Sequence, residues 1–149
     1  MNETQRIGIF AGSFDPFTIG HASVVKRVLP LFDRLVIGVG VNAGKRYTAT
    51  AAERVAAIRR VYAAEPKVEV AEYSGLTVDF AREKGARFVV KGVRSVRDFE
   101  AERDQADINR AIGGIETIIV CAEPGLGSVS SSVVRELRSY GKDVSALLP

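Results

Sequence analysis

The chain has 149 residues, 46% of them apolar and 26% charged, and a formal net charge of +3. Such a length and balance are typical of one globular domain and exclude a disordered or fibrous protein. The single cysteine excludes an intrachain disulfide and a cysteine-based metal site. The sequence has no dense basic tract and no apolar run of about 20 residues, so we expect neither a nucleic-acid partner nor a membrane span. Because the first residues are polar and unlike a signal peptide, we expect a cytoplasmic protein.

Short apolar runs alternate with helical patterns along the chain. Strands are predicted at Arg6–Ala11, Arg34–Val41, Lys67–Glu72, Arg87–Lys91 and Ile115–Ala122. Helices are predicted at Ile19–Leu29, from Thr50, at Thr77–Lys84, from Ser95 to about Ile112, and from the serine run Ser130–Ser132. This order, with strands rich in Val and Ile, predicts an α/β fold. We expect a doubly wound parallel sheet of five strands in a single domain over residues 1–149.

Side-chain patterns also predict helix ends and buried positions. Thr50, with Glu53 three residues later, is typical of a capping box at the start of the second helix. Pro30 should end or kink the first helix. The stripe of the second helix that should face the core consists of Val55, Ile58, Val61 and Tyr62. Cys121 lies within the last apolar run, so we expect its thiol to be buried.

The segment Gly12–His21 (GSFDPFTIGH) lies between the first predicted strand and the first predicted helix. Free backbone N–H groups and the helix dipole favour an anion at such a position. Gly12 and Gly20 let the backbone approach a ligand closely. His21, the only histidine, lies in the first turn of the helix and can point at whatever the helix end binds. The segment therefore predicts a phosphate-handling site with a built-in cation.

Lys45 follows the second strand in a glycine-rich stretch that fits no familiar phosphate motif. Gly38–Gly44 has the wrong spacing for the dinucleotide fingerprint, and Arg46 stands where a P-loop has serine or threonine. Ligands of parallel sheets bind at the carboxyl ends of the strands. Lys45 is therefore either a ligand contact or a solvated surface lysine.

The segment Lys91–Arg94 (KGVR) follows the fourth strand and is either a ligand loop or simply a basic loop. One stripe of the next helix consists of Phe99, Glu102, Ala106 and Asn109. On so apolar a face the carboxylate of Glu102 needs a partner. A second apolar stripe consists of Ala101, Ile108 and Ile112. A helix that is apolar on two faces is typical of a subunit interface, so we expect self-association.

The segment Ser128–Ser132 precedes the last helical pattern. Hydroxyls and free N–H groups at a helix start can form an anion site, and simple N-capping is the alternative. A cap needs one serine, whereas Ser130–Ser132 supplies three in a row, which favours the anion site.

Over nearly its whole length the chain resembles the phosphopantetheine adenylyltransferases, bacterial coenzyme A biosynthesis enzymes of the nucleotidyltransferase superfamily with a T/HxGH motif. Thr18–His21 (TIGH) carries the superfamily motif. More specific to the family are Lys91–Arg94, Asp98–Glu100 with Glu102 and Asn109, and Ser130–Ser132. The resemblance implies a Rossmann-like nucleotidyltransferase fold and a typical homohexamer. It also implies adenylyl transfer from ATP to 4′-phosphopantetheine, with Mg²⁺ as cofactor, giving dephospho-coenzyme A and pyrophosphate.

The resemblance also implies a role for each matching residue. His21, Lys45 and Ser13 would act in catalysis. ATP would contact Ser13, Phe14, His21, Gly92, Val93, Arg94, Glu102, Leu126, Gly127, Ser128, Val129, Ser130, Ser131 and Ser132. 4′-Phosphopantetheine would contact Ser13, Lys45, Thr77, Lys91 and Asn109. The chain departs from the family pattern at Lys91, where arginine is usual, at Thr77, and at Leu126–Ser128, a segment that often carries an aromatic residue.

The residues are consistent with direct displacement by a phosphate nucleophile, which is already ionised near neutral pH and needs no general base. Alignment and charge stabilisation are then the work of the protein. One rival is another transferase of the superfamily, such as a nicotinamide-mononucleotide adenylyltransferase or a cytidylyltransferase. A second rival is a non-catalytic module that binds adenine nucleotides.

Overall fold

The computed structural model describes residues 4–149. Residues 1–3, part of the polar start noted in the sequence, lie outside the described part. The strands are β1 (Ile7–Gly12), β2 (Arg34–Val41), β3 (Val68–Ser74), β4 (Phe88–Val93) and β5 (Glu116–Cys121). The helices are α1 (Ile19–Val28), α2 (Ala51–Val61), α3 (Thr77–Glu83), α4 (Val96–Gly113) and α5 (Ser131–Ser139). Short 3₁₀ turns follow α1 at Leu29–Leu31 and α5 at Ser145–Leu147.

The five strands form one parallel sheet in the order β3-β2-β1-β4-β5, which confirms the predicted fold class. The chain runs outward from β1 through β2 to β3 and then returns to β4 on the other side of β1. The strand order therefore reverses between β1 and β4. In open α/β sheets the crevice at such a switch point, beyond the carboxyl ends of the strands, is the usual ligand site.

The core has two layers, one on each face of the sheet. Side chains of α1 and α2 pack on one face, where Val25 and Ile58 are almost fully buried. Phe80 and Ala81 of α3 pack on the other face. Burial on both faces explains why the central strands are continuous apolar runs rather than alternating ones.

The predicted helix ends agree closely with the structure, because capping residues, glycine and proline determine them locally. Pro30 lies inside the 3₁₀ turn that ends the first helix, as expected for a residue that cannot continue α-helical hydrogen bonding. Gly114 ends α4 in the left-handed conformation, with φ of 64°, which glycine adopts without strain. Thr50 caps α2 by accepting from the backbone N–H of Glu53 at 3.1 Å. The Glu53 carboxylate accepts from the Thr50 hydroxyl, so the observed contacts form only half of the predicted capping box.

Two burial predictions are wrong. Val61 is 40% exposed, and Arg54 takes a buried position on α2 beside Val55 and Ile58. Cys121 is exposed because it is the last residue of β5, an edge strand whose two terminal residues are open to solvent. Within residues 4–149, no helix combines the length and the apolar character needed to cross a lipid bilayer.

Candidate active site

Two adjoining cavities open at the carboxyl ends of β1 and β4. The larger, which we call the main cavity, has a volume of about 320 Å³. The predicted site residues that line it are Ser13, Phe14, His21, Lys45, Lys91, Gly92, Val93, Arg94, Glu102, Leu126, Val129, Ser130, Ser131 and Ser132. The side cavity, of about 240 Å³, lies toward β2 and β3. Ser13, Lys45 and Lys91 line both cavities, so they mark the place where the two meet.

His21 lines the main cavity in a fixed orientation. Its Nδ1 accepts a hydrogen bond of 2.9 Å from the backbone N–H of Thr18, the N-cap of α1. The ring also packs edge-on against Phe14 at 5.0 Å and lies 5.3 Å from Phe17. Because a backbone N–H can only donate, Nδ1 is unprotonated and the proton of the neutral ring lies on Nε2. His21 therefore offers a hydrogen-bond donor on the edge of the ring opposite to Nδ1.

The protonation state of His21 corrects the sequence analysis. Burial is the main cause that lowers the pKa of the imidazole, and together with the positive charge of Arg94 it brings this pKa to about 4. The protein without ligand thus carries a neutral His21 at pH 7, and the expectation of a built-in cation at this position is wrong. The permanent positive charges of the cavity come from lysine and arginine side chains instead.

The β1–α1 turn contains local strain next to His21. Phe14 has φ of 49°, the only positive φ of a non-glycine residue in the described part of the chain. This left-handed conformation costs a bulky residue about 1–2 kcal/mol. The ring of Phe14 is buried between Phe10 and Phe17, with ring centroids about 5 Å apart, and this packing holds the strained backbone in place.

Lys45 is exposed, but it lines both cavities, which favours a ligand contact over a solvated surface lysine. Its Nζ donates to Ser13 Oγ at 2.8 Å and lies 5.6 Å from the centre of the Tyr47 ring. Ser13 belongs to the turn after β1, and Lys45 belongs to the loop after β2. Two segments distant in sequence therefore present a cation and a hydroxyl side by side where the cavities meet.

Cations on the β4 side of the cavity lie next to carboxylates. Lys91 Nζ is 3.7 Å from Glu102 Oε2, which supplies the partner that the sequence predicted for this carboxylate. Arg94 Nε is 3.4 Å from Asp98 Oδ2, and the same oxygen accepts from the Arg94 backbone N–H at 3.0 Å. These contacts orient both cations while leaving them partly exposed to an incoming anion.

The serine run serves more than one purpose. Ser130 caps α5 by accepting from the Val133 backbone N–H at 3.2 Å, as the capping alternative requires. Ser131 Oγ donates to the Pro16 carbonyl at 2.7 Å. Ser132 Oγ accepts from Arg135 Nη2 at 3.2 Å. The run therefore caps a helix, joins that helix to the β1–α1 turn and lines the main cavity with hydroxyls.

Four predicted residues do not line either cavity. Gly127 and Ser128 are exposed beyond the rim of the main cavity. Thr77 lies behind the side cavity and is hydrogen-bonded at 2.9 Å to the hydroxyl of Tyr73, which lines it. Asn109 is 5% exposed and accepts from Gln105 at 3.1 Å. The predicted ligand contacts of these four residues stay predictions.

Several cavity residues were missed because their positions depend on long-range contacts. Arg135 lines the main cavity and donates to the Asp15 carbonyl at 2.7 Å. Asn42, Tyr47 and Tyr73 line the side cavity. Arg135 had a signal in the sequence, since it follows Ser131 by four residues and Ser132 by three and therefore shares a face of α5 with them.

Asp15 fastens the loop that carries Lys45. Its carboxylate accepts from the backbone N–H of Thr48 at 2.8 Å, from the Thr48 hydroxyl at 2.7 Å and from the Ala49 N–H at 3.2 Å. Burial by itself would raise the pKa of Asp15, but these hydrogen bonds, helped by the charge of Arg135, lower it below the ordinary value. Asp15 thus stays ionised and holds the loop against the β1–α1 turn.

A third cavity is larger, about 760 Å³, and lies on the other side of the β1–α1 turn, between α2 and the last residues of the chain. Of the predicted site residues, only Phe14 lines this third cavity. Within residues 4–149, no three carboxylate, imidazole or thiol groups converge to hold a metal ion. The convergence of polar groups, rather than volume, therefore identifies the main and side cavities as the candidate active site.

Comparison with known proteins agrees with this geometry. Residues 9–137 match the family model described as cytidylyltransferase-like, so the chain is a cytidylyltransferase-like α/β protein. It is 53% identical to the phosphopantetheine adenylyltransferase of Phocaeicola vulgatus, over 97% of this chain and 96% of that protein. It is 51% identical to the protein of the same name from Bacteroides fragilis, over 97% of both chains. It is 47% identical to that of Leuconostoc citreum, over 92% of this chain and 87% of the relative. The chain belongs to the phosphopantetheine adenylyltransferase family.

Proposed function

We propose that the protein transfers the adenylyl group of ATP to 4′-phosphopantetheine, giving dephospho-coenzyme A and pyrophosphate. The observation that carries this proposal is the pair of cavities that meet at Ser13, Lys45 and Lys91. A transferase must bring two phosphorylated substrates together, and two cavities joined at a hydroxyl and two cations provide that geometry. A nucleotide sensor would need only one of them.

Each cavity suits one substrate. The main cavity, with Arg94, Glu102 and the serine run, would hold ATP, and its position at the start of α1 and α5 favours the triphosphate. The side cavity would hold the pantetheine arm, with the acceptor phosphate between Ser13 and Lys45. Thr77 would act there through Tyr73, the side chain that separates it from the cavity.

The reaction in this proposal is an in-line displacement. An oxygen of the acceptor phosphate attacks the α-phosphorus of ATP, the bond from this phosphorus to the bridging oxygen breaks, and pyrophosphate leaves with the electron pair. Neutral His21 donates its Nε2–H to the phosphoryl oxygens as their negative charge shifts in the transition state. Lys45 balances the charge of the nucleophile. No protein base is needed, because the attacking phosphate is already an anion.

Mg²⁺ is the cofactor that the family implies. Among the described residues the cavity carboxylates do not form a metal cage, and Glu102 already faces Lys91. This donor set fits a magnesium ion that arrives on the phosphates of ATP and keeps most of its own water ligands. Once bound with ATP, the ion would neutralise charge on the departing pyrophosphate. We also propose the cytoplasm as the place of the reaction, since ATP is abundant there.

Self-association, with a hexamer as the expected state, is proposed for the outer face of α4. Only Asn109 is buried among the eighteen residues of this helix, while Ile108 and Ile112 are 51% and 54% exposed. The double variant Ile108→Ser with Ile112→Ser should dissociate the assembly in sedimentation-velocity experiments. Tyr140→Ser, which removes an exposed side chain at the end of α5 rather than on α4, serves as the control. A monomeric wild-type protein would contradict the proposal.

The test of the reaction is to incubate the protein with ATP, Mg²⁺ and 4′-phosphopantetheine and to detect dephospho-coenzyme A by mass. Parallel incubations replace the acceptor with nicotinamide mononucleotide, or ATP with CTP. Pyrophosphate release that depends on 4′-phosphopantetheine supports the proposal. Release with another acceptor would indicate a different transferase of the superfamily. Binding of ATP with no release in any mixture would indicate a nucleotide-binding module.

A further inference from the structure

Arg54 is a buried cation at the edge of the active site that the proposed reaction does not use. It lies in the first part of α2 and is 3% exposed. Its Nη1 donates to the Ser13 carbonyl at 2.7 Å and to the Gly40 carbonyl at 3.1 Å, and its Nε donates to the Ala49 carbonyl at 3.2 Å. The guanidinium also lies over the ring of Tyr47, 3.9 Å from its centre.

This burial needs a reason, because a charged group inside a protein is costly even when its partners are good. Within residues 4–149, the ion pairs of the chain do not include Arg54. Carbonyl dipoles and an aromatic face compensate the charge in place of a carboxylate. An apolar side chain of similar size would join α2 to the sheet without the desolvation cost. Arginine at this position therefore contributes something that an apolar side chain cannot, namely hydrogen bonds that connect several segments.

Those segments are the ones that carry the acceptor-side groups. Ser13 lies in the turn after β1, Gly40 lies near the end of β2, and Ala49 and Tyr47 belong to the loop that presents Lys45. The planar fork of a guanidinium can donate in three fixed directions at once, whereas a lysine ammonium on its flexible stem cannot. Arg54 thus fixes the backbones on both sides of the contact between Lys45 Nζ and Ser13 Oγ.

We propose that Arg54 is a positioning residue that holds Ser13 and Lys45 together so that both engage the acceptor phosphate. This inference rests on the proposed function and adds a residue to it. Arg54 makes no contact with the β4 side of the main cavity, so its effect should fall on the acceptor rather than on ATP.

The test compares Arg54→Met and Arg54→Lys with a matched control, Arg59→Met. Arg59 lies on the same helix and donates to the Val70 carbonyl at 2.9 Å, away from both cavities. All variants are checked for Tm and folded content. Arg54→Met should raise the KM for 4′-phosphopantetheine about tenfold or more and lower kcat, with less than about a threefold change in the KM for ATP. Arg54→Lys should fall between wild type and Arg54→Met, and Arg59→Met should change Tm only.

A double-mutant cycle separates positioning from general support of the fold. If Arg54 acts through Lys45, Arg54→Met should cost little further activity in a Lys45→Ala background. The positioning role would be overturned if the losses of activity in Arg54→Met and Lys45→Ala simply multiplied in the double variant. An equal rise in the KM values for both substrates, or loss of folding in both Arg54 variants, would also overturn it. If wild type forms no dephospho-coenzyme A, the proposed function itself fails. Normal wild-type turnover with unchanged acceptor KM in the Arg54 variants removes only the inference about Arg54.

Discussion

The two sides of the active site are held in different ways. On the side of Ser13 and Lys45, hydrogen bonds connect segments distant in sequence, and Asp15 and Arg54 fasten the loop and the turn to each other. On the side of Lys91 and Arg94, the cations face carboxylates of the helix that follows them directly, at 3.7 and 3.4 Å. Because the first side is fastened at more points before any substrate binds, we infer that it is the rigid side and that the second side can adjust.

This difference indicates where specificity and catalytic alignment reside. A preorganised pair of groups costs no reorganisation when the acceptor phosphate arrives, which is the requirement for an aligned nucleophile. Partly exposed cations with weak carboxylate partners can exchange those partners for ATP phosphates. The rigid side should therefore control alignment of the acceptor, and the adjustable side should control nucleotide affinity.

Removing His21 should have the largest effect, because it lines the main cavity and, in the proposed reaction, donates to the transition state. His21→Ala is expected to lower kcat by about 10²- to 10³-fold with small changes in both KM values. Steady-state pyrophosphate release, with each substrate varied in turn, measures this. His21→Gln, which keeps an N–H donor, should retain part of the activity. Normal turnover of His21→Ala would remove the imidazole from the mechanism.

Removing the cation of the rigid side should affect the acceptor. Lys45→Ala is expected to raise the KM for 4′-phosphopantetheine roughly 10- to 100-fold, because a charge-assisted contact to phosphate is lost. The KM for ATP should change less than about threefold. Arg46→Ala, an exposed neighbour in the same loop that lines neither cavity, is the control. A larger loss for ATP than for the acceptor in calorimetry would mean that the two cavities are assigned in the wrong order.

Removing a cation of the adjustable side should produce the converse result at a smaller magnitude. Arg94→Ala is expected to raise the KM for ATP about tenfold and to leave the acceptor KM nearly unchanged, since Arg94 is partly exposed. Arg97→Ala, in the first turn of α4 three residues after Arg94 and outside the cavity, controls for charge alone. Equal effects of the two variants would show that Arg94 acts only through the general field of the protein.

The smallest expected effect concerns the charge of His21, which can be measured directly. Because this is the only histidine, its ring resonances can be followed by NMR without ambiguity. In the free protein the ring should stay neutral, with its proton on Nε2, from pH 8 to about pH 5, and should titrate near pH 4. A transition near pH 6.5, or a proton on Nδ1, would contradict the clamped geometry.

The same depressed pKa has a consequence for stability. Between about pH 6.5 and pH 4 the unfolded chain binds a proton at His21 that the folded chain does not. The free energy of unfolding should therefore fall as the pH falls through this window, and this part of the decrease should disappear in His21→Gln. Urea titrations of both proteins at pH 7 and pH 5 compare the two slopes.

Much of the architecture could be predicted from local patterns. The five strands and five helices were predicted with ends that differ from the structure by at most a few residues. The predicted burial of Val61 and Cys121 is wrong for a shared reason. Apolar periodicity does not reveal which residues at the end of a helix are left uncovered or which strand is at the edge of a sheet. The burial of Arg54 could not be predicted from local pattern, since it depends on carbonyl groups supplied by three other segments.

The sequence by itself determined the order of elements, the glycine-rich turn before α1 and the types of side chain gathered at the carboxyl ends of the strands. These follow from hydrophobic periodicity, capping residues and the chemistry of each side chain, which act over a few residues. Only the tertiary structure decided that His21 is neutral, that Lys45 meets Ser13 and that Arg54 is enclosed. Desolvation and contacts between distant segments exist only after the chain has folded, so no local pattern encodes them.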